Sequence, residues 1–133
     1  MKTPKPITPA NLYAYKGTVL SIHDADTLRV GLSLGFSVSY EVDVRLLGCN
    51  GIELAAPGGI ESRDHLATVL PVGTTVLLKT VKADKFGGRY DAQITLPDGT
   101  DLVSGLIAAG YAASWNGLGP KPVPAWPIPA KTS

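Results

Sequence analysis

The sequence predicts a mainly β (α+β) fold: a five-stranded barrel with one helix between its third and fourth strands, a second short helix after the fifth, and a proline-rich C-terminal tail. Three observations lead there. Short extended runs, β-branched or alternating between apolar and polar residues, recur with Gly and Pro breaks between them. The spacing becomes helical in only two places. After Tyr111 the prolines come too densely for any helix.

Tyr13 to Ile22 is rich in Tyr, Thr, Val, Leu and Ile, and the acidic corner His23-Asp24-Ala25-Asp26 leads it straight into Thr27 to Leu32, which reads as a hairpin. Val38 to Leu47 alternates cleanly and adds a third strand before Gly48. Ala55-Ala56-Pro57-Gly58-Gly59 prevents regular structure and reads as a mobile loop. Ile60 to Leu70 places Leu66, Val69 and Leu70 on one side of a helix, stopped by Pro71 and Gly73. Two strands follow, Thr74 to Val81 and Arg89 to Leu96, then a turn at Pro97-Asp98-Gly99-Thr100 and a helix from Leu102 to Ala109 that ends at Gly110. Five strands with a helix after the third match the order of an oligonucleotide/oligosaccharide-binding (OB-fold-like) barrel, whose loops commonly meet nucleic acid. The expected organisation is a flexible segment over 1–10, the barrel over 11–113, and an extended tail over 114–133 laid on the barrel and anchored by Trp115 and Trp126.

With 133 residues the chain suits one domain, and one site is the default. A formal charge of +1 provides no broad basic field, so any nucleic-acid contact has to be local. The lone Cys49 excludes an intramolecular disulfide and a Cys-based zinc site, and it reads as core packing. Charge and three prolines interrupt the first ten residues where a secretory signal needs an apolar stretch, and no segment reaches the roughly 18 apolar residues of a membrane span. The expectation is a cytoplasmic monomer without membrane contact.

Three clusters carry the chemistry. Asp24 and Asp26, two residues apart at the end of an apolar run, read as oxygen ligands for a hard cation. Arg45, Asn50 and Glu53 leave the third strand as a guanidinium, an amide and a carboxylate, and Asp84-Lys85-Phe86-Gly87-Gly88-Arg89 adds a second guanidinium. Together they suggest a phosphodiester site. The plainer readings are a turn whose Asp carboxylates bond backbone N–H groups, and a surface pairing of Arg45 with Asp43 or Glu41. His23 should point away from its acidic neighbours and His65 reads as a surface residue, while Gly58-Gly59 lacks the Lys-Ser/Thr ending of a phosphate loop.

In this order, from about Tyr13 to Ala113, the chain resembles the staphylococcal nuclease (thermonuclease) family: Asp24-Ala25-Asp26-Thr27, then Arg45 with Asn50 and Glu53, then Asp84 to Arg89. Its Trp-Asn-Gly and Pro-Trp-Pro tail is similar to phage- or prophage-type members. The resemblance implies a calcium-dependent endonuclease acting on DNA and RNA, single strands preferred, that leaves 3′-phosphates, with Mg²⁺ or Mn²⁺ as alternative metals. It further implies that Asp26, Asn50 and the Gly51 carbonyl bind the metal with Asp24 behind them. Glu53 would activate water, Arg45 and Arg89 would grip the phosphate, and Lys85 and Phe86 would contact substrate. Asn50 stands where the family's secreted type member has Asp, which removes one ligand charge. Ile52 replaces a Pro before Glu53, Phe86 lacks a Tyr hydroxyl, and Gly88 lengthens the turn before Arg89. A related barrel that binds nucleic acid or a protein without cutting is the competing expectation.

Overall fold

The computed structural model describes residues 13–83 and 89–129. The N-terminal segment and Asp84, Lys85, Phe86, Gly87 and Gly88, for which the sequence raised expectations, lie outside the described residues.

Five strands close into a barrel: β1 (Ala14–Ile22), β2 (Thr27–Gly35), β3 (Val38–Leu46), β5 (Thr75–Ala83) and β6 (Arg89–Thr95), in the order β1-β2-β3-β6-β5. All neighbours pair antiparallel except β3 and β6, which run parallel. Closure leaves the barrel without a free sheet edge around its girth and explains the period-2 pattern. Leu28, Val30 and Leu32 of β2 and Val42, Val44 and Leu46 of β3 point inward and are buried, with Val19, Leu78 and Ile94 across from them. Gly17 of β1 sits on this inner face, where a Cβ would fall 2.6 Å from Val30 Cγ1. A β-bulge between Val19 and Ser21 bends β1 into the closed curve.

Helix α1 (Gly59–Val69) lies between β3 and β5 in sequence and seats Leu66 in the core; α2 (Leu102–Ala108) follows β6 and adds Leu102 and Leu106. Both match the expected helices to within a residue at each end. Asp101 caps α2, its carboxylate accepting from Ser104 N at 2.9 Å. Gly110, at φ 87°, ends it with the Tyr111 N–H on Leu106 O and its own on Ile107 O, both carbonyls in the last turn.

One element is new. Cys49–Gly51 forms a short strand, β4, that pairs antiparallel with β7 (Ala112–Ser114) outside the barrel. Three residues with a polar centre carry no strand signal of their own; the ladder exists because β7 returns beside them. From Trp115 the chain turns through Gly117 and Gly119, both at positive φ, then extends to Pro129 with alternate residues Pro122, Pro124, Trp126 and Ile128 half-buried. Among the described residues no helix is long and apolar enough to cross a membrane.

Candidate functional site

The site grows from the β1–β2 turn. Thr27 O accepts the backbone N–H groups of His23 and Asp24, and Asp24 Oδ1 accepts Asp26 N at 3.1 Å. Asp24 therefore serves as the turn former that the plainer reading expected. Burial first, and the Asp26 charge second, push its carboxyl above the ordinary 3.8. His23 points to solvent.

Beyond the turn, Thr27 pairs with Arg45 across β2 and β3, which sets Arg45 beside Asp26. Arg45 Nη1 lies 3.2 Å from Asp26 Oδ2 and donates to Leu46 O at 3.1 Å, while Nη2 donates to Asn50 Oδ1 at 3.2 Å. The surface alternative for Arg45 is absent because Arg29, one cross-strand pair away, takes Asp43 at 2.9 Å and Glu41 at 3.4 Å. Asp26, Arg45 and Asn50 are only 8%, 8% and 7% exposed, so the ion pair is held with little water around it.

β4 roofs the cluster. Gly51 N donates to Asp26 Oδ2 at 2.9 Å, and Thr27 Oγ1 donates to Asp26 Oδ1 at 3.2 Å. Gly51 is needed for proximity rather than for an unusual φ, since a Cβ there would lie 2.5 Å from that of Ala25. Cys49 beside it is buried, its thiol pushed up to about 11 mainly by burial, as a packing residue should be. The second hydrogen-bonding atom of Asn50 faces the tail, with Nδ2 donating to Pro122 O at 2.9 Å.

Glu53 is exposed, two residues past Gly51, and its side chain makes no hydrogen bond among the described residues. Its carbonyl is held: Ala56 N donates to it at 2.9 Å, and Gly59 packs so closely that a Cβ would collide with it. Arg89 opens β6 opposite Asp43, and Asp91 follows opposite Arg45. Arg89 is thus on the same outer barrel face as Arg45, one cross-strand pair further from the turn. Asp24, Asp26, Arg45, Asn50 and Gly51 form one connected cluster; Glu53 follows two residues along the chain from Gly51, and Arg89 stands on the neighbouring strand opposite Asp43.

No protein-family model matches the chain, and no curated protein does either.

Among the described residues no three His, Cys, Asp or Glu side chains converge as a metal-holding group. Two carboxylates and one amide are what the corner offers. Pro122 is the partner that sequence reasoning missed: it lies 72 residues from Asn50, and a backbone carbonyl leaves no mark in composition or spacing. His65, expected at the surface, is half-buried and stacked on Tyr111 at 3.7 Å between ring centroids and 6° between planes.

Proposed function

We propose that the chain is a metal-dependent phosphodiester hydrolase acting on DNA or RNA, a nuclease of the thermonuclease type. The observation that supports it most is the buried Asp26–Arg45–Asn50 cluster, with Glu53 exposed on the next loop and Arg89 on the same barrel face. An ordinary surface corner has no cause to bury a guanidinium, a carboxylate and an amide together, because their desolvation costs several kcal/mol unless every partner is present.

The donors suit a hard cation in type, since all are oxygens, and burial first, with the Asp26 charge second, raises the Asp24 carboxyl beside them. Asp26 and Asn50, with the Gly51 carbonyl, would hold Ca²⁺, Mg²⁺ or Mn²⁺, and Asp24 would orient Asp26 through its backbone. When bound, the ion withdraws charge from the non-bridging phosphate oxygens. Arg45 and Arg89 offer N–H donors to those same oxygens as charge accumulates, a contribution on the order of 2–4 kcal/mol each. Glu53, exposed and unencumbered, takes a proton from the water attacking phosphorus in line. The bond from phosphorus to the 5′-oxygen breaks, leaving a 3′-phosphate, and the departing oxygen acquires a proton from solvent.

A second reading has its own support. Arg45 already spans Asp26 and Asn50, and Asn50 is tied to the tail, so the corner is self-satisfied as it stands. That suits a barrel that binds nucleic acid or a protein without cutting. Cleavage of single-stranded DNA with Ca²⁺, with Mg²⁺ and with chelator, beside Arg45→Ala and Glu53→Gln, separates the two. Metal-dependent cutting lost in both variants supports the hydrolase; binding without cutting under any metal supports the second reading.

A further inference from the structure

The tail runs back across the site. After β7 pairs with β4, Trp115 N donates to Gly48 O at 3.0 Å, and a turn closed by Trp115 Nε1 on Leu118 O and Leu118 N on Asn116 Oδ1 reverses the chain. Pro122 then reaches Asn50, Trp126 lies on Gly58 and against Tyr111, and Ile128 sits over Gly110. Asn50 and Gly58 stand on either side of Glu53. The strap therefore bridges the two ends of the loop that carries the exposed carboxylate. Gly58, at φ 88°, has no Cβ because one would run into the Trp126 ring.

Arg45 can only donate and so takes Oδ1, while the Pro122 carbonyl can only accept and so takes Nδ2; the two partners hold the Asn50 amide from opposite ends in one orientation. An aspartate at position 50 would set a carboxylate oxygen against the Pro122 carbonyl oxygen with no proton between them. The strap thus gives a physical reason for Asn at this position.

We propose that the strap from Trp115 to Ile128 is a positioning element of the site: the Pro122 carbonyl fixes the Asn50 amide, and Trp126, pinned on Gly58, holds the far end of the Glu53 loop. It rests on the hydrolase reading only for its effect on turnover. The extended proline run suits the task, since its backbone has little conformational freedom to lose on docking.

Trp126→Ala frees the strap without touching Asn50, Arg45 or Glu53. In the full-length chain, NMR-detected solvent exchange of the Asn50 side-chain amide is expected to quicken on the order of tenfold, and Trp126→Phe, which keeps a ring on Gly58, to restore it. Ile128→Ala, at the end of the strap, moves exchange in the same direction by less and serves if Trp126→Ala does not fold. Unchanged exchange in whichever of the two folds overturns the positioning role. With single-stranded DNA and Ca²⁺, kcat is expected to fall on the order of tenfold in Trp126→Ala with KM within about twofold, as for a group that acts through another. Faster exchange with unchanged kcat overturns the link to turnover. A wild-type chain that cuts under no metal removes the hydrolase reading instead, and amide exchange alone then decides whether the strap positions Asn50.

Discussion

Arg45 and Asp26 are 10% and 11% exposed at their side chains, so removing one charge strands the other where water cannot replace it. Arg45→Ala is expected to lower unfolding free energy in urea by about 3 kcal/mol, independent of any activity. Asp24 behaves differently. Its carboxyl is raised above 3.8 in the fold, so its contribution to stability is greatest below 3.8 and declines as pH climbs through the interval up to the raised value. Asp24→Asn keeps the acceptor for Asp26 N and removes the charge. It should stabilise the protein at pH 7, by under about 1 kcal/mol because the group is partly solvated, and have no benefit below pH 3.8. Thermal melts at the two pH values check this, and a loss at pH 7 would count against it. The acidic corner was legible in the sequence because like charges two residues apart at the end of an apolar run break local rules. Arg45 keeps the polar phase of an alternating strand and stood out only by its grouping with Asn50 and Glu53. The way their charges pair was not legible, since it depends on Arg29 claiming Asp43 and Glu41 first.

Among the elements, the β2–β3 hairpin carries visible strain. Its turn places Phe36 at φ 53° and Ser37 at φ 63°, a region that side chains with a Cβ resist. Both angles suit an Asn-Gly turn, so the double variant Phe36→Asn with Ser37→Gly is expected to raise unfolding free energy by about 1 kcal/mol in urea titration. Helix α1 has no side-chain cap and depends on its contacts, including His65 stacked on Tyr111. Burial lowers the His65 pKa below 6.5, so the unfolded chain holds the proton more readily. Stability is then fully present above 6.5 and falls as pH drops through 6.5 toward the lowered value. A His65→Gln variant should flatten that part of the pH profile. The barrel strands and both helices announce themselves by period and punctuation. β4 and β7 do not, because three residues are too few to show a period, and what makes them strands is each other.

At the scale of the molecule, near-neutral charge and a compact cluster imply modest electrostatics. If the hydrolase reading holds, two guanidinium contacts to a single strand predict a slope of about −1.4 for log affinity against log salt. Arg89→Ala is expected to reduce its magnitude by about 0.7, and a slope steeper than about −4 would mean a much wider footprint. The barrel order itself was readable from strand count and helix position. Its closure, through the Ala14 to Lys79 and Asp43 to Arg89 registers, was a matter of topology.

Both tryptophans, Trp115 and Trp126, lie in the strap and neither in the barrel. Intrinsic fluorescence consequently reports the docking of the last segment, whereas far-UV circular dichroism is dominated by strands whose pairing spans most of the chain. Denaturation followed by the two methods should give midpoints that do not coincide, with fluorescence changing first. Read by themselves, such curves would suggest a populated folding intermediate. They would instead record a finished barrel from which the strap has lifted.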